Sequence, residues 1–180
     1  MINLKNLRDK KIGVLGLEKT GLSVVKAVQE VGGLLICWDD DKGKRDNLEK
    51  NGVTVGDLND KNLIKELDLL VVSPGVPHLY PKPHPIIALA YKLNIRVDND
   101  IGLFFSSHIE EDYKTFNRPP KIIAITGSNG KSTATALAGH IFSRLFKDVE
   151  IGGNIGKPVL ELSPPDEGSI RILELSSYQI

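Results

Sequence analysis

Lys121-Ile122-Ile123-Ala124-Ile125-Thr126-Gly127-Ser128-Asn129-Gly130-Lys131-Ser132-Thr133 is the stretch that decides the fold. Lys121 to Ile125 is an apolar run with the character of a buried strand, and a polar loop bearing two glycines follows it. From Lys131 onward, Leu137, Ala138, Ile141, Phe142 and Leu145 share one face at helical spacing. Strand, glycine loop and helix in this order turn backbone N–H groups inward and make an anion nest at a helix N-terminus. Gly127, Ser128, Asn129, Gly130, Lys131, Ser132 and Thr133 are therefore the candidate triphosphate-binding residues. Lys131 would reach the β- and γ-phosphates as a point charge and is the candidate catalytic residue, and Ser132 would place its hydroxyl on Mg²⁺. The spacing departs from the general G-x-x-x-x-G-K-[ST] pattern, because Ile125 stands where the first glycine is usual. A junction that contains Gly-Lys-Ser by coincidence is the plainer alternative. The buried strand before the loop and the amphipathic helix after it argue against that alternative.

Outward from this stretch the pattern is α/β. Lys11 to Gly16 reads as a buried strand, and Val24, Val25, Val28 and Val31 follow at helical spacing until Gly32-Gly33 stops the helix. Leu34 to Trp38 and Leu69 to Val72 are further strands, Ile86 to Leu93 is helical, and Ile95 to Val97 is a short strand. Such alternation implies a parallel sheet. The expectation is a Rossmann-like parallel-sheet domain over residues 1–105, a linker over 106–120 containing Pro119-Pro120, and a P-loop α/β domain over 121–180. Only three strands are expected after Pro120, at Lys121–Ile125, Val149–Ile151 and Ile170–Leu175, where a phosphate-binding sheet normally has about five. The second domain is thus expected to be incomplete, as a fragment or with a partner covering its edge.

Bulk composition excludes several classes. Twenty-three Lys plus Arg balance twenty-three Asp plus Glu in 180 residues, which argues against nucleic acid or a membrane surface as a partner. Cys37 is the single cysteine, so no internal disulfide can form. The polar stretch Met1 to Lys11 lacks the apolar region of a secretory signal, and no run approaches the ~20 apolar residues of a membrane span. A soluble, cytoplasmic protein is the expectation.

Three further places invite chemistry. Gly16-Leu17-Glu18-Lys19-Thr20-Gly21 sits at the first strand-to-helix turn, where dinucleotide folds carry G-x-G-x-x-G. Glu18 replaces the middle glycine, adding bulk and negative charge where a pyrophosphate would approach. An NAD-dependent dehydrogenase is disfavoured on that ground, and an ordinary structural turn is equally compatible. Asp39, Asp40 and Asp41 end the second strand, where an acidic residue commonly accepts hydrogen bonds from a ribose or base. For Asp41 a solvated turn is the preferred reading. Glu174 lies within the apolar run Ile172-Leu173-Glu174-Leu175. A buried carboxylate is costly without a partner, and a metal ion at the phosphate loop would supply one. His78, His84, His108 and His140 show no metal-site spacing, and Cys37 reads as core.

With these residues assembled, the chain resembles the Mur ligases. Thr126 to Ser132 matches their T-G-[ST]-N-G-K-[ST] loop, a pattern shared with folylpolyglutamate synthases. Gly152-Gly153-Asn154-Ile155-Gly156 and Leu173-Glu174-Leu175-Ser176-Ser177-Tyr178-Gln179 look like the D-glutamate-adding branch specifically. Gly21-Leu22-Ser23 and Ser73-Pro74-Gly75 resemble that branch's uridine-binding domain. The resemblance covers the whole chain. It implies that Lys19 and Thr20 hold the diphosphate of a UDP-sugar, with Asp39, Asp40 and Gly75 around its uracil and ribose. It also implies that Asn154 contacts the diphosphate, that Ser176 contacts the muramoyl-alanine part, and that Ser132 and Glu174 serve Mg²⁺. Glu18 and Lys19 depart from the family's more usual Gly-Leu or Gly-Arg.

The activity implied is amide-bond formation in peptidoglycan synthesis. ATP and Mg²⁺ would activate UDP-N-acetylmuramoyl-L-alanine as an acyl phosphate, and D-glutamate would then attack it. The family's second Mg²⁺, its histidine ligand, its carbamylated lysine and its C-terminal domain for ATP and D-glutamate all fall beyond Ile180. The expectation is therefore a chain without turnover alone, its missing half either supplied by a complementary chain or simply absent. The alternative is a non-catalytic UDP-sugar-binding module derived from such a ligase.

Overall fold

In the computed structural model, the described residues are 1–108 and 116–176. The expected Ser177-Tyr178-Gln179 motif and residues 109–115 of the expected linker lie outside them. Two compact units separate by their contacts, one spanning Asn3–Leu103 and the other Met1–Ile2 with Phe104–Ile180.

The first unit is built from strands β1 (Lys11–Leu15), β2 (Leu34–Trp38), β3 (Leu69–Val72) and β4 (Arg96–Asp98). Between them run helices α1 (Lys19–Glu30), α2 (Lys42–Lys50), α3 (Lys61–Ile64) and α4 (Pro85–Lys92), and α5 (Asp100–His108) follows. The strands are all parallel in the order β2-β1-β3-β4. β1 and β3 lie inside the sheet and are buried almost throughout, whereas β2 and β4 at the edges are partly open. This is why the inner strands read as unbroken apolar runs. Leu15, Leu70 and Val72 pack with Leu58, Ile64, Ile86, Ile87 and Ala90 in one cluster. Leu69 and Val71 point to the other face by strand alternation. α1 buries Val24, Val25, Ala27 and Val28, as its valine spacing implied.

Three helices, α2, α3 and α5, were not foreseen. In α2 Leu48 is the one buried residue, so apolar periodicity had almost nothing to register. What starts α2 is a cap: the Asp41 carboxylate accepts from the Gly43 N–H at 2.7 Å. Asp41 therefore has a defined structural task and is more than a solvated acid. α5 carries the chain through Ser106 to His108, so helix occupies the first residues of the expected linker. The short strand begins one residue later than expected, at Arg96.

The second unit has β5 (Lys121–Ile125), α6 (Lys131–Leu145), β6 (Val149–Gly153) and β7 (Ile170–Glu174), with the strands parallel in the order β5-β7-β6. The α/β class with parallel sheets and the three strand positions match the sequence reading. The face of α6 does not. Thr135 and Gly139 are its buried residues, while Leu137, Ile141 and Leu145 are exposed. The helix turns its small residues to the sheet because Gly139 meets Ile151 too closely for a larger one: a Cβ there would lie 2.3 Å from the Ile151 side chain. Near the start of the central strand β7, fully buried Arg171 makes a two-pronged pair with Asp148, at 2.9 and 3.1 Å, and bonds the Pro164 carbonyl at 3.2 Å. The planar fork suits this bidentate geometry.

Cys37 reports on the first sheet. It is wholly buried in β2, and burial pushes its thiol up to about 12. At pH 8 a thiol reagent should label it only as fast as the sheet opens, with the rate rising sharply through the urea transition. Labelling of the folded protein at the rate of a free thiol would contradict the packing of β2.

Candidate functional site

In a parallel sheet every strand points the same way, so the loops after the strands gather at one edge. In the first unit that edge holds a cavity of about 330 Å³, lined by Leu15, Gly16, Glu18, Asp39, Asp40, Lys44, Ser73, Gly75, Val76, Pro77 and His84. Its size is at the lower end for a small-molecule site. Of the residues singled out from sequence, Asp39, Asp40 and Gly75 line it. Lys19 and Thr20 instead form the first turn of α1, where the Thr20 carbonyl accepts from Ser23 Oγ at 2.7 Å.

Asp39 is the strut of this edge. Its Oδ2 accepts from the Leu17 N–H at 2.7 Å and its Oδ1 from the Asp41 N–H at 2.9 Å, so one carboxylate ties the β1–α1 turn to the β2–α2 turn. Burial pushes its carboxyl up, but the two backbone donors and the Lys44 ammonium 3.7 Å away outweigh this and hold it below the usual range. Ser73 adds a second tie, donating to the Gly16 carbonyl at 2.7 Å. Asp40 faces outward with Oδ2 3.0 Å from His84 Nε2. His84 is the N-cap of α4: its Nδ1 accepts from the Ile86 N–H at 3.3 Å, which leaves Nε2 as the donor to Asp40.

Sequence reasoning missed Lys44 and His84. The signal for His84 was present, since His84-Pro85 places proline at the first helical position, a common helix start. Lys44 was hidden with α2. It pairs with Glu18, so the one charge that looked out of place in the turn has a partner.

In the second unit the strand ends bring β5, β6 and β7 together. Ile125, the last residue before the phosphate loop, is in register with Glu174, and Glu174 is in register with Gly153. Gly130 is the N-cap of α6 at φ 76°. The first N–H groups of any helix have no partner within it, and here they open on the loop. Gly127, Ser128, Asn129 and Gly130 are exposed, as are Ser132 and Thr133. The Lys131 ammonium folds back over the loop, donating to the Gly127 carbonyl at 2.7 Å.

Glu174 is 1% exposed. Its Oε1 accepts from the Asn154 side-chain amide at 3.2 Å, and its carbonyl accepts from the Asn154 N–H at 2.9 Å. Its Oε2 is buried and has no hydrogen-bond partner among the described residues. A buried carboxylate oxygen without a donor is expensive, and a cation answers it. Gly153 makes the close approach possible: at φ 97°, a Cβ would lie 2.3 Å from the Glu174 carbonyl oxygen. Asn154 and Glu174 are thus brought together, and Ser176 follows two residues on, after the end of β7.

Strand-end loops of this kind, gathered at the carboxyl edge of a parallel sheet in each unit, define an α/β protein of the parallel-sheet class. Residues 10–98 match the family described as Mur ligase MurD-like, N-terminal domain. A UDP-N-acetylmuramoylalanine–D-glutamate ligase of Ruegeria pomeroyi is 44% identical over 179 residues, covering 99% of this chain and 38% of its own length. Proteins of the same name from Cereibacter sphaeroides and Roseobacter denitrificans are 45% and 43% identical, each over 99% of this chain and over 38% and 39% of their own lengths. A solved ligase from Neisseria meningitides, UDP-N-acetylmuramate:L-alanyl-gamma-D-glutamyl-meso-diaminopimelate ligase, covers 92% of this chain and 52% of its own, with 14% identity and TM-score 0.47. That likeness is too distant to bear on the site. The chain belongs to the Mur ligase family, in its MurD-like branch, and spans well under half the length of the curated relatives it matches.

The Asp39 strut predicts a pH dependence. Because folding lowers its pKa, its stabilisation is fully present above the unfolded value of 3.8 and is lost as pH falls through the lower folded value. Asp39→Ala should cost about 1–3 kcal/mol in urea unfolding at pH 7, the range for orphaned buried donors. It should also flatten the acid dependence of the first unit's stability. An Asp39→Ala protein as acid-sensitive as the parent would remove Asp39 from this role.

Proposed function

We propose that this chain is the part of an ATP-dependent amide-bond ligase that adds D-glutamate to UDP-N-acetylmuramoyl-L-alanine in peptidoglycan synthesis. The first unit takes the UDP-sugar and the second takes ATP with Mg²⁺. The observation that carries this reading is the buried Glu174 carboxylate. One of its oxygens lacks a partner among the described residues, and its strand runs in register beside the one that feeds the phosphate loop. The relatives' name and the match across 99% of the chain support the substrate. The cytoplasmic location expected from composition belongs to the same proposal.

The residues fit the groups they would hold. Gly127 to Gly130 offer backbone N–H groups to the phosphates. Lys131 leaves the Gly127 carbonyl to meet the γ-phosphoryl group and balances the charge that grows there during transfer. Ser132 and Glu174 would hold Mg²⁺, which when bound neutralises phosphate oxygens. In the reaction a carboxylate oxygen of the L-alanine part takes the γ-phosphoryl group from ATP, releasing ADP. The resulting acyl phosphate loses phosphate when the amine of D-glutamate attacks the carbonyl carbon. For the UDP-sugar, Asp40 and Gly75 sit at the cavity and Lys19 and Thr20 at the neighbouring turn. Asp39 shapes the cavity, its carboxylate already engaged with Leu17 and Asp41. Asn154 acts at the second site by orienting Glu174.

Calorimetric titration of the chain with UDP-N-acetylmuramoyl-L-alanine tests the substrate. One-to-one binding is the expected result, and a folded protein that ignores this ligand defeats the proposal. Glu174→Gln tests the metal. It removes a buried charge, so the thermal midpoint should hold or rise, while the gain in ATP affinity on adding Mg²⁺ should fall about tenfold or more, the scale for loss of an ionic ligand. An unchanged Mg²⁺ effect would exclude Glu174 from that task.

A further inference from the structure

The first-unit cavity has an unusual charge pattern for a site expected to take a nucleotide. Glu18, Asp39 and Asp40 all line it, and Lys44 is the one ammonium among its lining residues. Glu18 is well exposed, and it stands at the strand-to-helix turn where a nucleotide's phosphates pass closest to backbone in related folds. Left alone, Glu18 and Asp39 would repel a diphosphate. Lys44 reaches both: it is paired with Glu18 and stands 3.7 Å from Asp39 Oδ2. The Glu18 hydrogen bond is the largest influence on Lys44 and, with the surrounding carboxylates, holds its ammonium above the usual range. Arg45, the next residue of α2, is committed elsewhere. It bonds the Asp40 carbonyl at 3.0 Å and stacks on the Trp38 ring 4.2 Å away.

We propose that Lys44 is the specificity-determining cation of this cavity: by neutralising Glu18 and Asp39 it lets the site take a nucleoside diphosphate where it would otherwise favour an uncharged nucleoside. The inference rests on the reading of the first unit as the UDP-sugar site and adds a residue to it. It also explains how a glutamate is tolerated where a glycine is usual. Glu18 and Lys44 act as a compensating pair, so the glutamate is harmful to diphosphate binding once the lysine is removed. The carboxylates retain a use, because uracil and ribose present N–H and O–H donors that acids accept, whereas phosphates need the local charge removed.

The test measures affinities of UDP and of uridine for the parent chain, Lys44→Ala, Lys44→Arg and the double variant Lys44→Ala/Glu18→Ala. Thermal unfolding serves as the control for folding. Lys44→Ala should weaken UDP by about tenfold at low salt, an effect that shrinks as salt screens the exposed carboxylate, and should leave uridine within about twofold. Lys44→Arg should retain UDP affinity, and removing Glu18 from the Lys44→Ala protein should restore most of it. Equal loss of UDP and uridine would make Lys44 a structural residue and overturn the proposal. So would unchanged UDP binding by Lys44→Ala, or no recovery in the double variant. Failure of the parent chain to bind UDP at all would instead defeat the nucleotide-site reading beneath it.

Discussion

The common direction of the strands is the constraint on which the rest depends. Among the described residues the strands of each unit pair only in parallel, so their carboxyl ends gather along one edge, where short loops deliver chemically distinctive residues. Gly16-Leu17, Asp39 and Ser73 follow three different strands of the first sheet, yet two hydrogen-bonded ties join them, Leu17 N–H to Asp39 and Ser73 to the Gly16 carbonyl. Gly127, Asn154 and Glu174 reach the corresponding edge of the second sheet in the same way. Parallel pairing requires helical crossovers, and those helices supply the remaining parts: the first turn of α1, the Lys44 of α2 and the His84 cap of α4.

Both edges concentrate acids that a fold selected for stability alone would avoid. Asp39 is tolerated because two backbone N–H groups and Lys44 answer it. Glu174 is answered by Asn154 on one oxygen, with no described partner on the other. The contrast separates a carboxylate that holds structure together from one that, under the proposed function, would meet a cation. Arg171 near the start of the central strand β7 shows the structural solution again, since each of its nitrogens meets a carboxylate or a carbonyl.

What could be read from sequence follows the same physics. Inner strands such as β3 were legible because burial on both faces leaves an unbroken apolar run. The strand, glycine loop and helix from Lys121 to Leu145 were legible because the apolar run, the paired glycines and the helical spacing stand in a fixed order. α2 was not, because a helix lying on the surface with Leu48 as its one buried side chain leaves no periodic signal. The orientation of α6 was misjudged because apolar spacing picks out Leu137, Ile141 and Leu145, whereas close approach to Ile151 selects Gly139. Lys44 was beyond reach, since it gains its place only through a partner 26 residues away along the chain, and although His84-Pro85 signalled a helix start, the tie from His84 to Asp40 spans 44 residues and left no local signal.

The central claim is that each parallel sheet carries its own nucleotide site at its strand ends. Amide-resolved NMR of the whole chain, titrated separately with UDP and with Mg²⁺-ATP, tests it most directly. The account predicts that UDP shifts the amides of Leu17, Lys19, Thr20, Asp40 and Gly75 and leaves Gly127 to Thr133 in place, while Mg²⁺-ATP does the reverse. Both ligands shifting one common set of amides, or neither shifting these, would contradict it.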